Sequence, residues 1–232
     1  MQAGSKAARC DLRPLSVVIT ITHDDEAFQP GHHEKGVMAI SRDFGFVGRL
    51  CLDLTVTGDM GWGARYERLI SEAEYQRWLS ISPLRLAHIR VGPADVEAAK
   101  RLRGAIWRAV GAVLARVAPA PRDVRLINRV GREPALVREL HPGAESMRWY
   151  RPTAAAALAT IAQDAVVLLG EPTQRARIHR CENPRCRIVF YDDSRPGLRR
   201  WCAPNRCGDR IRAKLYRERH RIGDGTTPET SD

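Results

Sequence analysis

Long apolar runs are missing from this sequence. A bilayer-spanning helix takes about 20 nearly uncharged residues. The most apolar stretch, Ala154 to Gly170, is Ala-rich and interrupted by Gln163 and Asp164, so it reads as a buried helix, and no membrane partner is expected. Also missing at the N-terminus is a basic segment followed by an apolar core and a small-residue cleavage site, so the expected location is cytoplasmic. Enzyme signatures are missing as well: there is no metalloprotease motif, no glycine-rich phosphate loop and no nucleophile elbow. His88 and His141 stand isolated, and Asp53 and Glu67 make no convincing acid–base pair. The chain is not expected to be an enzyme.

Acidic residues are sparse where basic ones are dense. The net charge of the 232 residues is +11, and the segment Arg175 to Arg221 alone carries +10. Charge concentrated in this way suits a polyanion such as nucleic acid. The alternative is a merely solvated basic surface. Apolar content of 44% and charged content of 28% are those of a globular protein. The length allows one core with a small appended module, or two modest domains.

The periodicity divides the chain as follows. Residues 1–37 are polar and carry no sustained pattern, so they are expected to be a poorly ordered extension. Residues 38–172 are expected to be an α+β domain, mainly helical with a small β-sheet. Within it, Phe44 to Asp53 reads as a strand, or a strand running into a helix. Arg65 to Leu79 and Asp95 to Val117 read as helices, with Asp95 as a cap, and Arg122 to Val130 as a short helix. Ala135 to His141 and Ser146 to Arg151 flank the turn Pro142-Gly143-Ala144-Glu145 and read as a β-hairpin. Thr153 caps a helix running to about Leu169, and Gly170, Glu171 and Pro172 mark a domain boundary. Residues 222–232 are acidic and expected to be a disordered tail.

Four of the six cysteines fall close together, as Cys181-x4-Cys186 and Cys202-x4-Cys207. Zinc takes four soft ligands in a tetrahedron, and two close pairs supply two from each of two turns. Pro184 and Pro204 stiffen those turns. Four thiolates close the coordination shell, so the expected role is one structural zinc per chain, with no open position for a catalytic water. Two disulfides or an iron–sulfur cluster are the alternatives, and His179 is a conceivable substitute ligand. Cys10 reads as a free terminal thiol and Cys51 as a small core residue. Arg187 to Tyr191 and Arg199 to Trp201 read as two strands of a hairpin, followed by a helix from about Asn205 to His220. A knuckle, a hairpin and a helix beginning inside the second ligand pair make residues 175–221 a treble-clef-like module. In a module this small, most of the folding free energy should come from the metal.

Along that last helix Arg206, Arg210, Lys214, Arg217 and Arg221 are spaced as one stripe, with Arg212 and Arg219 further round. Cys207, Ile211 and Leu215 form a neighbouring apolar stripe expected to pack on the hairpin. Arg199 and Arg200 lie just upstream. The candidate DNA contacts are therefore Arg199, Arg200, Arg206, Arg210, Arg212, Lys214, Arg217 and Arg221. Tyr191 and Trp201 read as small-core residues.

Cys181 to Arg221 resembles the CGNR-type zinc finger. The resemblance rests on Cys181-x4-Cys186, Phe190-Tyr191-Asp192, Ser194-Arg195, Arg200-Trp201-Cys202 and Cys207-Gly208-Asp209-Arg210. In that family the finger follows an α+β domain called ABATE, associated with stress-induced transcription regulation. Leu50-Cys51-Leu52-Asp53-Leu54, within Phe46 to Thr57, is similar to the opening of that domain. The resemblance covers about residues 44–221. It departs at Asp209, where the family has Asn, and at Val56, where Asn is common. Asp suits the first turn of a helix but repels phosphate.

The resemblance implies a zinc-dependent, DNA-binding transcription regulator. By analogy, its N-terminal domain would sense a small-molecule effector or form a homodimer. A zinc module for RNA or protein–protein contact is the competing expectation.

Overall fold

The computed structural model describes residues 45–58 and 66–223. The expectations for residues 1–37, for Cys10 and for nearly all of the tail 222–232 lie outside these. Chain contacts place the described residues in a single compact unit. Its class is α+β: a helix-rich N-terminal part, two small antiparallel sheets and a C-terminal cysteine cluster.

The short helix α1 spans Leu50–Thr55, and α2 spans Glu72–Ile81, where Ser71 accepts a cap hydrogen bond from the Glu74 amide. The long helix α3, Pro93–Leu114, starts with a proline in its first turn, and the Asp95 carboxylate accepts from the Gly92 amide. Helix α4, Pro121–Gly131, is followed by the hairpin β1, Val137–Leu140, and β2, Met147–Tyr150. In α5, Ala154–Gly170, the Thr153 hydroxyl accepts from the Ala156 amide at 3.1 Å. One turn of helix, α6, spans Pro172–Arg175. The second sheet pairs β3, Ile178–Arg180, with β4, Val189–Tyr191. A π-helical turn at Pro204–Gly208 leads into α7, Asp209–Gly223.

Helices α1, α3, α4 and α5 pack on one another. The alanines of α5 (Ala154, Ala157, Ala162 and Ala165) are buried and let its backbone approach its neighbours closely. The fully buried large side chains include Trp78, Tyr75, Leu52, Leu102, Ile161 and Phe190. Phe190 belongs to the finger, and one hydrophobic cluster runs without a break from Val47 through the helices to Cys207. Among the described residues no helix is long and apolar enough to cross a membrane.

Three sequence expectations are corrected. The segment Phe44 to Asp53 contributes no strand among its described residues: the chain is irregular until α1 begins at Leu50. Its amide at Val47 is taken up by the Asp53 side chain rather than by a strand partner. The helix expected from Arg65 begins only at Glu72, where Ser71 supplies the cap. In the finger, Arg199 to Trp201 is not a strand, and β4 pairs with β3, ahead of the first cysteine. The Asp192 carboxylate takes the Ser194 amide at 3.0 Å and the Arg199 amide at 2.8 Å, holding the loop as a turn. The Arg200 carbonyl accepts instead from the Glu182 amide at 3.0 Å, outside the expected hairpin.

Candidate metal centre and basic helix

The first cysteine pair is held by a turn that its own sequence builds. Asn183 is buried, and its side-chain oxygen accepts from the Arg185 amide at 3.0 Å. Its carbonyl accepts from the Cys186 amide at 2.7 Å. The Cys181 amide donates to the Ile188 carbonyl at 2.9 Å, folding the pair back on itself. At the second pair the amides of Cys207 and Gly208 both reach the Ala203 carbonyl, closing the π-helical turn. Gly208 suits this turn, because a Cβ there would lie 3.3 Å from the Trp201 ring, a tight approach.

These turns bring Cys181, Cys186, Cys202 and Cys207 together, with all four sulfurs within 4.8 Å of one another. The Cys186–Cys202 and Cys202–Cys207 sulfur separations are both 3.7 Å. Tetrahedral thiolates at 2.3 Å from a zinc ion sit about 3.8 Å apart, whereas a disulfide needs about 2.0 Å. The donor set and its spacing therefore fit one zinc ion, and the disulfide alternative does not fit. His179 is not part of the cluster. Its ring lies against Phe190, with centroids 5.9 Å apart.

Without a metal, four clustered thiols share charge poorly. Cys186 is lowered to about 5, chiefly through its hydrogen bond with Cys202. Cys202 is raised, through that same bond and through burial, and burial raises Cys207 to about 11. The cluster alone thus favours the thiolate at Cys186 over those at Cys202 and Cys207. A divalent cation reverses this, since coordinated thiols are deprotonated outright.

The basic residues divide into two groups. Arg199 is turned inward: it donates to the Tyr191 carbonyl at 3.2 Å, pairs with Asp193 and stacks on Phe190 at 4.7 Å. Arg200 is exposed but held by Glu182 at 2.6 Å and stacks on Trp201 at 5.2 Å. The others lie on or next to α7, where every side chain from Arg212 to His220 is exposed. Arg212 pairs with Asp209 and lies 5.7 Å from the centre of the Trp201 ring, and Lys214 pairs with Glu218 at 3.5 Å. Arg210, Arg217 and Arg219 have no acidic partner among the described residues. The side chains of Arg206 and Arg221 lie outside those described. The expected apolar stripe is buried only at its start: Cys207 is buried and Ile211 half-buried, but Leu215 is 51% exposed and its neighbour Tyr216 56%. Beyond its first turn α7 stands clear of the hairpin.

A family model for ABATE, described as "Putative stress-induced transcription regulator", matches residues 48–172. The chain belongs to the ABATE family. A model for the CGNR zinc finger matches residues 177–220, so the ABATE region precedes the finger as the resemblance implied. A search of curated proteins finds no match.

The ABATE region does more than precede the finger: it holds it. Asp164, on α5, accepts from the Arg49 side chain (Nε at 2.9 Å, a second nitrogen at 2.6 Å) and from the Cys51 amide at 2.9 Å. Arg49 also donates to Gln174 at 2.9 Å, and the Tyr191 hydroxyl donates to the same Gln174 oxygen at 2.7 Å. The Arg49 guanidinium lies 5.4 Å from the centre of the Tyr191 ring. Burial opposes the Arg49 charge, but Asp164 more than offsets this, and the guanidinium pKa is raised. The Tyr191 amide donates to the Val47 carbonyl at 2.8 Å, which ties the segment before α1 to the end of β4. Gly48 has φ +94°, and a Cβ there would lie 2.9 Å from the Tyr191 carbonyl oxygen, so only glycine fits. Sequence reading found Asp164 as an interruption of an apolar run and Tyr191 as a core residue. Nothing in their spacing told that they share partners.

Asp53 anchors the same entry segment by accepting from the Val47 amide at 2.6 Å. Burial is the main influence on its pKa, which rises to about 7 despite that hydrogen bond, with a smaller push from Asp164. An unfolded Asp titrates near 3.9. Between about pH 4 and about pH 7 the folded chain therefore holds a proton that the unfolded chain has lost. The Asp53 contribution is complete below that window and is lost as pH rises through it. From pH 5 to pH 7 the loss should be about 2 kcal/mol. Urea titrations of the wild type and of Asp53→Asn should differ by that slope, since zinc-ligand effects are common to both. Parallel stability–pH curves would contradict the assignment.

Proposed function

We propose that this ABATE protein is a zinc-dependent, DNA-binding transcription regulator. Residues 175–221 would be the binding module, and residues 38–172 a cytoplasmic sensor of a small molecule or a dimerisation unit. The observation that carries the reading is α7: a helix anchored at one end on a four-thiolate knuckle, exposed along its length and rich in arginines without acidic partners. Knuckle, loop and helix follow one another as in a treble clef, and the family description points to regulation. Arg210, Lys214 and Arg217 are the leading phosphate contacts, with Arg206, Arg212 and Arg221 beside them. Arg199 supports the finger from inside, and Arg200 reaches DNA only by exchanging Glu182 for phosphate.

With about six phosphate contacts, log affinity for duplex DNA should fall with log salt at a slope near −5. Anisotropy titrations of the full-length protein between 50 and 200 mM salt measure it. A slope near zero would overturn the reading. The exposed Leu215 and Tyr216 favour a second reading, a protein-binding helix. In that case a partner would bind with little salt dependence.

A further inference from the structure

Side-chain chemistry changes with direction around α7. At about 100° per residue, Arg210, Lys214 and Arg217 run along one flank. Arg212 and Arg219 run along another, about 180° round the axis from the first. Cys207 is buried and Ile211 half-buried, which marks the side facing the finger. Glu218 lies toward that side and is paired with Lys214 at 3.5 Å. On the opposite, outward side lie Asp209, Ala213, Tyr216 and His220, at successive spacings of 4, 3 and 4, and all are exposed. Tyr216 and His220 stack with centroids 3.9 Å apart, and His220 Nδ1 lies 2.9 Å from the Tyr216 carbonyl oxygen, which orders both on this face.

A single cationic row fits any anionic surface. Two rows on opposite flanks, with a face between them that carries a carboxylate and no Arg or Lys, fit two parallel anionic rails with a gap between. The major groove of B-DNA is such a gap, about 12 Å wide between phosphate backbones, and a helix with its side chains is about 10–12 Å across. We propose that α7 enters the major groove of duplex DNA and turns Asp209, Ala213, Tyr216 and His220 toward the base edges. This rests on the DNA-binding reading above and adds the groove and the reading face. Ala213 has no bulk beyond Cβ and allows close approach. Tyr216 offers a ring for a thymine methyl and a hydroxyl for a base edge. The Asp209 carboxylate is repelled by phosphate, yet it can accept from cytosine N4. Its ion pair with Arg212 orients it and screens it from the backbone. The acidic residue in the Cys207-Gly208-Asp209-Arg210 motif thus exchanges some affinity for sequence preference.

The test uses full-length, zinc-loaded protein and two duplexes of one sequence. In the second duplex every cytosine is glucosylated 5-hydroxymethylcytosine, which fills the major groove and leaves the phosphates unchanged. Binding to the filled duplex should be weaker by about tenfold or more. Asp209→Asn should bind random duplex several-fold more tightly and show an altered base preference in selection from a random pool. Equal affinity for both duplexes, with a steep salt slope retained, would overturn groove entry and leave the DNA reading standing. Absence of salt-dependent binding to either duplex would end the DNA reading and the inference with it. Tighter binding to duplex RNA of the same sequence, whose major groove is too narrow for a helix, would also overturn groove entry.

Discussion

Removing the zinc should unfold residues 177–220 and leave the ABATE helices folded but weakened. The size of the effect follows from where the folding free energy arises. Among the described residues the finger contributes only Ile178, Val189, Phe190, Cys181, Cys202 and Cys207 to the buried hydrophobic core, and its sheet has three residue pairs. Apparent zinc-binding energies of about 10–16 kcal/mol at structural sites match or exceed the whole stability of an ordinary domain, about 5–15 kcal/mol. Without the ion the two turns are joined, among the described residues, only by weak links, the Glu182 amide bond to the Arg200 carbonyl and the exposed Arg200–Glu182 pair. Cys202 is a central ligand, buried, with its sulfur 3.7 Å from both Cys186 and Cys207. Cys202→Ser should abolish stoichiometric zinc. Hydrogen exchange should then show β3, β4 and α7 unprotected while α3 and α5 keep slow amides. Retained protection of the Tyr191 amide in metal-free protein would show that contacts with the ABATE region alone fold the finger.

The second large effect is expected at Asp164. Its carboxylate is the anionic partner of the half-buried Arg49 and also accepts the Cys51 amide. Asp164→Ala leaves a guanidinium without its counter-charge and an amide without its acceptor. Removing one member of a buried pair costs about 3–5 kcal/mol, which should lower the melting temperature by about 10 °C for a protein of this size. The finger should also loosen, because Arg49 is what Gln174 and Tyr191 share. Faster exchange of the Tyr191 amide in Asp164→Ala, with zinc content unchanged, would be the specific sign. Replacing both partners with apolar residues, Arg49→Met with Asp164→Leu, should recover part of the loss. A melting temperature within about 2 °C of wild type for the single variant would show that the pair contributes little.

Much of this architecture was legible where short-range chemistry decides the outcome. Thr153 caps α5, Pro142 to Glu145 turns the hairpin, and the two Cys-x4-Cys units declare their metal, because each depends on residues within one turn of one another. What stayed hidden depends on partners distant in sequence. The pairing of β3 with β4 is one case: Ile178 to Arg180 has no strand signature, while Arg199 to Trp201 resembles a strand until Asp192 captures the Arg199 amide. The seat is another, since Arg49, Asp164, Gln174 and Tyr191 meet only after four elements have packed. Arg199 illustrates the same limit at the candidate interface. Its charge was visible, but its stacking on Phe190 and its bond to the Tyr191 carbonyl belong to the folded finger. The outward face of α7 was encoded in the spacing of Asp209, Ala213, Tyr216 and His220. It became meaningful once the buried side of the helix was known.

X-ray absorption at the zinc edge of the purified full-length protein tests the centre of this account most directly. One zinc per chain, surrounded by four sulfurs at about 2.3 Å, is the expected spectrum. A metal-free chain, or a first shell containing nitrogen or oxygen in place of one of the sulfurs, would contradict it.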